Sequence, residues 1–152
     1  MLRVTSGLAF VGICLQVPAA AQDPYLGTWT LDANSVSGHI SGLRPETTLV
    51  LTRSDGELSV TKDDDVPEIY RVDGSPSVLP ANRTGRVLSR NNELVFTTVR
   101  IRPGGPNLTI VNDRYRAVDG TLVIERTLRV ILPNGDIADT PQNRWAATYR
   151  RG

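Results

Sequence analysis

The sequence predicts an all-β protein, a single antiparallel up-and-down barrel of about eight to ten strands. Two observations support this prediction. Short runs in which apolar and polar residues alternate recur along the chain, and Gly, Pro, Asn and Asp separate them at short intervals. Closing such a sheet removes its exposed edges, which otherwise invite aggregation. A β-sandwich is the alternative, and no stretch after the N-terminal segment predicts a convincing helix.

Residues 1–21 predict a signal peptide, which leaves 22–152 as one domain. Arg3 supplies the positive charge at the start, and the apolar run 7–17 that follows is too short for a membrane anchor. Pro18 ends this run, and alanines 19–21 form the small-residue pattern that signal peptidases recognise. We therefore expect cleavage before Gln22 and an exported protein, either periplasmic or secreted.

Removal of residues 1–21 also removes the cysteine and one basic residue of the chain. Cys14 is the chain's single cysteine and is lost with these residues, and Ile13 before it is too large for a lipidation site. The mature chain then has no disulfide. Since Arg3 is one of 17 basic residues, 16 remain against 16 acidic ones, interspersed along the chain. This balance predicts no nucleic-acid partner, and no later run resembles a membrane span.

Alternating residues such as Leu49 and Leu51 define the individual strands, and Asp119-Gly120 gives the strongest hairpin signal. Segments 33–45, rich in Ser and Gly, and 73–83, with two prolines, predict irregular connections. We expect the first and last strands to pair and close the barrel. The predicted strands are residues 26–32, 47–53, 58–60, 69–72, 84–90, 93–101, 108–118, 121–132 and 142–150.

The segment Gly27–Leu31 (GTWTL) opens the domain and residues 147–149 (ATY) nearly close it. This layout resembles the lipocalin-like, or calycin-type, small β-barrels. It is more similar to a group of exported bacterial proteins of unknown function that open with a Gly-x-Trp strand, and Asp32 and Ser35 fit their next residues. The resemblance implies a barrel whose closed end is plugged by Trp29.

Intracellular fatty-acid carriers have a similar barrel and hold the ligand carboxylate with an arginine two residues before a tyrosine of the last strand. Here Ala147 stands two residues before Tyr149. That ligand site therefore does not carry over to this chain.

No motif predicts a catalytic residue, a metal site or a cofactor. His39 is the single histidine, which is too few for zinc, and no Gly-x-Ser-x-Gly turn presents a nucleophile. The acidic run 63–65 lacks the glycine and the final glutamate of a calcium loop. We interpret it as a solvated turn.

Arg126 is the one residue that breaks the apolar alternation of its strand, residues 122–132. Period-two geometry predicts that it points into the barrel unless a bulge turns it outward. A buried cation requires a partner. The candidates are an acid such as Asp113, the ring of Trp29 or Trp145, and an anionic ligand.

Three functions fit these observations. The first is a non-enzymatic protein that binds a small apolar or amphipathic molecule, which is hydrophobic or anionic. In this protein Arg126 is the polar anchor, and the side chains of Trp29, Trp145 and Tyr149 line the interior. The second is a cofactor-free hydrolase or isomerase that uses barrel carboxylates. Asp113 and Glu125 are its candidates. The third is an envelope interaction or inhibitor protein with a solid barrel.

Overall fold

A computed structural model describes residues 23–101, 108–138 and 143–152, so the predicted signal peptide lies outside the described residues. Twelve strands and one short 3-10 helix, Ala33–Ser35, make up its secondary structure. In chain order the strands are β1 Gly27–Leu31, β2 Ser37–His39, β3 Thr48–Ser54, β4 Glu57–Lys62, β5 Glu68–Arg71, β6 Ser77–Leu79, β7 Arg83–Arg90, β8 Glu93–Ile101, β9 Leu108–Val118, β10 Thr121–Ile131, β11 Ile137–Ala138 and β12 Arg144–Arg151.

The strands form one antiparallel sheet that curls into a nearly closed barrel. Its order is β5-β4-β3-β1-β12-β10-β9-β8-β7-β6, while β2 and β11 add short ladders to β12 and β10. β1 pairs with β3 on one side and with β12 on the other. The predicted meeting of the first and last strands is therefore confirmed, and the barrel, not the sandwich, is the fold.

Three hairpins of this sheet turn on two residues in the left-handed conformation. Asp119 and Gly120 have φ values of 47° and 77°, and residues 55–56 and 91–92 repeat the pattern. Positive φ at both central positions is the signature of type I′ turns, whose twist matches that of paired strands. The hairpin predicted at Asp119-Gly120 is confirmed, and it pairs β9 with β10 along their whole length.

Short strands also occur where the sequence predicts irregular connections. β2 lies within segment 33–45 and β6 within segment 73–83. Gly38 of β2 passes so close to β12 that a Cβ atom would lie 2.3 Å from the carbonyl oxygen of Arg144. The glycine that indicated a loop is thus the residue that lets the two backbones pair.

Side chains from the inward faces of the strands fill a single hydrophobic core, as the period-two alternation predicts. Trp29, Leu49, Leu51, Leu122 and Tyr149 are each 0% exposed. Burying a side chain of this size stabilises the fold by roughly 1.5–3 kcal/mol. The core also includes Leu58, Val60, Tyr70, Leu79, Val87, Leu94, Phe96, Tyr115, Ile124, Trp145 and Ala147.

The barrel is completed by side chains at the seam between β5 and β6, the two ends of the strand order. The backbone N–H of Arg71 donates to the Ser77 hydroxyl oxygen at 3.0 Å. Glu68, which is buried, is 2.6 Å from Arg83 of β7 and 2.9 Å from Lys62 of β4. The Tyr70 hydroxyl also donates to Glu68, at 2.8 Å. Glu68 therefore holds both sides of the seam.

Burial alone would raise the pKa of Glu68, but Lys62, Tyr70 and Arg83 outweigh burial and hold this pKa below its usual range. A carboxyl whose pKa is lowered by folding contributes stability above its unfolded pKa of about 4.3. That contribution is lost as the pH falls through the folded value. The seam should therefore weaken in acid.

We expect Glu68→Gln to lower the free energy of unfolding by about 2 kcal/mol at pH 7, because two cations lose their buried partner. The loss of stability in acid should also become shallower. Urea unfolding followed by circular dichroism between pH 3 and pH 7 measures both effects. Glu57→Gln, at an exposed position of β4, is the control. An unchanged stability and acid profile in Glu68→Gln would contradict the role of this seam.

Candidate functional site

Arg126 lies in the middle of β10 and points into the barrel, as its place in the alternation predicts. It is 4% exposed. The strand registers put Asp113 of β9 directly opposite on one side and Trp145 of β12 on the other. Nε and Nη2 of Arg126 donate to the two carboxylate oxygens of Asp113 at 2.6 and 2.8 Å. The guanidinium carbon lies 4.8 Å from the centre of the Trp145 ring.

A third charged residue, Glu46, completes this cluster. Its Oε1 is 3.0 Å from Nη2 of Arg126. Glu46 lies in the connection before β3, where no alternation exists to indicate which way a side chain points. The sequence therefore did not reveal it. With Glu46 the cluster has two carboxylates and one guanidinium, which is a formal excess of one negative charge.

Two tyrosines enclose the cluster. The Tyr149 hydroxyl donates to the backbone oxygen of Glu46 at 2.9 Å, and Tyr115 is buried beside Asp113 on β9. Burial, reinforced by the nearby Asp113 and Glu46, raises the pKa of both phenols, and Arg126 offsets this only partly. Burial would lower the pKa of Arg126 itself, but Asp113 and Glu46 raise it well above its usual value. Arg126 is therefore a permanent cation, and both phenols stay neutral at ordinary pH.

Two polar atoms around Arg126 are buried without a hydrogen-bond partner among the described residues. They are Oε2 of Glu46, an acceptor, and Nε1 of Trp145, a donor. A buried polar group left without a partner costs about 1–3 kcal/mol. Such groups are few in native proteins, so the unpaired donor and acceptor distinguish this cluster within the described core.

A short apolar segment that packs on the core precedes Glu46 in the chain. Ile40 is 1% exposed, and Leu43 is partly buried against the same core. A turn bond from the Leu43 N–H to the Ile40 oxygen, 3.1 Å long, folds the segment. Because Glu46 follows three residues later, the apolar segment and the acid belong to one connection, between β2 and β3.

Trp29 lies away from the Arg126 cluster, further along β12. Its Nε1 donates to the Tyr25 oxygen at 2.8 Å, and the Arg151 guanidinium lies 4.7 Å from its ring centre. On β12 the positions opposite Trp29 and Arg126 are Arg151 and Trp145, six residues or roughly 20 Å apart. The structure thus brings together three of the four predicted lining residues. Their role in ligand binding stays a prediction.

The two candidate catalytic carboxylates do not face each other. Asp113 points inward and is bound by Arg126, whereas Glu125 is on the outer face and pairs with Arg116. His39 is exposed on β2. The described residues contain no group of three or more His, Cys, Asp or Glu side chains that would hold a metal ion. Within the same residues, no helix is long and apolar enough to cross a membrane.

Comparison with known proteins shows the fold class. No family model matches the chain, and no curated protein sequence matches it. A secretory abundant heat soluble (SAHS) protein from Ramazzottius varieornatus is structurally similar, with a TM-score of 0.60 and 9% identity over 85% of this chain and 96% of that one. Fatty-acid-binding protein 1 of Echinococcus granulosus has a TM-score of 0.54 and 10% identity over 85% and 98%. The chain therefore shares the β-barrel fold of these two proteins.

The ion pairs of the Arg126 cluster should contribute to the free energy of unfolding. We expect Arg126→Met to lower the free energy of unfolding by about 3 kcal/mol, because Asp113 and Glu46 lose their cation inside the barrel. Replacing Asp113 as well, by Leu, should recover part of this loss. Urea unfolding at pH 7 measures both. Arg86→Met, exposed on β7, is the control. If Arg126→Met unfolds like the wild type, the cluster does not stabilise the barrel.

Proposed function

We propose that this protein is an exported, non-enzymatic binding protein for a small amphipathic molecule, whose polar head sits at the cluster of Arg126, Asp113, Glu46 and Trp145. The observation that supports this proposal most is the pair of unpaired buried atoms, Glu46 Oε2 and Trp145 Nε1. A ligand that accepts from the indole N–H and donates to the carboxylate would satisfy both. The likeness to a fatty-acid-binding protein in fold is compatible with an apolar tail.

The charge of the cluster selects the kind of head group. Arg126 already binds Asp113 with two hydrogen bonds and Glu46 with an ion pair. An anionic head would add a third negative group to a site that has two carboxylates, at short range and with little screening. A hydroxyl or a primary amide carries both a donor and an acceptor without charge. We therefore favour a neutral head over an anionic one, which the sequence left open.

The connection between β2 and β3 is the route by which the tail would reach the interior. Ile40 and Leu43 occupy core positions, but they stand on a loop, which needs no ladder to break when it moves. An alkyl tail that takes the place of these side chains would restore the apolar contacts they leave.

Three ligands of equal chain length test this proposal: decanol, decanamide and decanoate. At pH 7 we expect decanol and decanamide to bind at least tenfold more tightly than decanoate, as followed by Trp fluorescence and calorimetry. Trp145→Phe removes the N–H but keeps an aromatic ring, and should weaken decanol binding about tenfold. Glu57→Gln, on the exposed face of β4, should bind as the wild type does.

The outcomes are distinct. Tightest binding of decanoate would overturn the neutral head group, and full decanol affinity in Trp145→Phe would overturn the place of the head. If none of the three ligands binds, the alternative function is favoured, which is an envelope interaction or inhibitor protein with a solid barrel. The observation behind that candidate is the close filling of the interior by Trp29, Tyr70, Tyr115 and Tyr149.

Export is the other part of the proposal, and it rests on the sequence of residues 1–21. Expressed with this leader in a bacterium, the protein should be recovered outside the cytoplasm, with Gln22 as its first residue and no acyl chain. Intact-mass measurement decides this. Ala21→Leu should block cleavage, because signal peptidase needs a small residue there. An uncleaved chain in the cytoplasm, or one that starts at an acylated Cys14, would contradict the proposal.

A further inference from the structure

The outer face of β8, β9, β10 and β11 ends in a row of aliphatic side chains. The registers place Ile101, Leu108, Ile131 and Ile137 directly opposite one another on these four strands. Residues directly opposite in a sheet point to the same side. This side is the outer one, because Ile131 is an odd number of residues from the inward Arg126. Ile101 and Ile137 are 69% and 58% exposed.

The next outward row of the same sheet is largely aliphatic as well. Val99 of β8 lies opposite Ile110 of β9, and Arg129 of β10 ends the row. On the other side Thr84 of β7 connects Val99 to Val78 of β6, which is 89% exposed. Aliphatic side chains exposed together over several strands indicate an interaction surface. We call the following seven residues the apolar patch: Val78, Val99, Ile101, Leu108, Ile110, Ile131 and Ile137.

Three exposed arginines lie further along the same outer face. Arg86 and Arg90 are on β7 and Arg114 is on β9. None of the three forms an ion pair or a side-chain hydrogen bond with a residue that the structure describes. Arg86 and Arg90 are four residues or about 13 Å apart, and Arg114 lies two strands or about 10 Å to the side. One small anion therefore does not reach all three.

The acids beside these arginines on β8 and β10 are already paired. Glu93 lies 3.7 Å from Arg116, and Glu125 forms an ion pair with the same arginine. The three arginines therefore keep their positive charge at the surface. A partner that matches them must carry several anionic groups spread over a similar distance.

The charge of this face distinguishes between its potential occupants. A second copy of the chain packed on the same face would bring two sets of these arginines together, and like charges across an interface are costly. A bilayer with anionic lipids suits both features. Its hydrocarbon accepts aliphatic side chains without a matching shape, and its head groups present many anions in one plane.

The spacing of the rows also fits a membrane surface. Arg86 is opposite Thr97, which is four residues or about 13 Å along β8 from Ile101. Apolar faces of surface-bound proteins enter the membrane by about 5–10 Å. With the end of the strands inserted to this depth, the guanidinium of Arg86 lies at the level of the lipid phosphates.

We propose that the apolar patch and the three arginines dock the protein on the surface of a membrane that contains anionic lipids. The docking is peripheral, and the barrel keeps its fold. This face is on the opposite side of the sheet from Asp113 and the interior cluster. Docking therefore does not depend on the proposed function, and a barrel without a ligand should dock equally well.

Cosedimentation with lipid vesicles tests the proposal. The protein is used after removal of residues 1–21, so that this apolar segment does not bind lipid itself, and circular dichroism checks its fold. One set of vesicles is pure phosphatidylcholine, and the other contains equal parts of phosphatidylcholine and phosphatidylglycerol. We expect at least about tenfold stronger binding to the anionic vesicles in low salt, and a loss of this difference in high salt because of screening.

Substitutions separate the contributions of the patch and the arginines. Ile101→Asn should weaken binding to the anionic vesicles about tenfold, and Arg86→Gln about fivefold. Val118→Asn is the control for the first, because Val118 is 47% exposed on the same face at the opposite end of β9. Arg71→Gln, exposed on β5, is the control for the second. Both controls should bind as the wild type does.

A further variant tests the sign of the charge effect. Asp136 is an exposed acid that precedes Ile137 of the patch. Asp136→Asn removes a charge that repels anionic lipid, and should strengthen binding to the anionic vesicles about fivefold. Weaker binding of this variant would contradict the electrostatic part of the proposal.

Several results would overturn docking on a membrane. They are equal binding to both kinds of vesicle, binding to neither, and an equal loss in Val118→Asn and Ile101→Asn. A dimer in analytical ultracentrifugation that Ile101→Asn dissociates would assign the patch to a second copy. Binding to heparin without binding to vesicles would assign the arginines to an acidic polymer.

Discussion

Strand β12 pairs with β10 on one edge and with β1 and β2 on the other. This pairing joins the first and last strands in one sheet. Every other feature of the interior depends on this ladder. It buries Tyr149 and Ala147 in the core, and it places Trp145 against Arg126. Closure also spares the first and last strands from presenting open edges to solvent. The remaining gap, between β5 and β6, is held by the ion pairs of Glu68.

The buried ions at Arg126 are costly to keep, so the rest of the barrel must hold them in place. A guanidinium inside a barrel loses several kcal/mol of hydration, which is recovered only if its partners are well placed. Asp113 meets this requirement because the register fixes it opposite Arg126. Strand pairing does not place Glu46, because this residue lies in the loop between β2 and β3. The cluster therefore has one carboxylate placed by strand pairing and one placed by the loop, where the Glu46 backbone oxygen accepts from the Tyr149 hydroxyl.

The sequence predicted the parts of the structure that follow from local rules. Alternation placed the core strands and the direction of Arg126, and two of its proposed contacts, Asp113 and Trp145, are the ones observed. Contacts made by irregular segments could not be predicted in this way. Glu46 lies in a segment without alternating apolar and polar residues, so no pattern indicates its direction. The short strands β2 and β6 form only because other strands of the sheet pair with them. Alternation specifies the face of the sheet and not the position along a strand, so it could not show that Trp29 and Trp145 lie apart within the interior.

Strands β9, β10 and β12 have one face in the core of the barrel and one face on its outer surface. Asp113 and Arg126 point inward, while their neighbours Arg114 and Glu125 point outward. A shift of one residue in the register would exchange these pairs, placing Glu125 in the core and Arg126 in solvent. The Asp119-Gly120 turn prevents that shift, because its left-handed residues permit only a two-residue connection between β9 and β10. The turn therefore determines which charged side chains of β9 and β10 lie inside the barrel and which lie on its outer face.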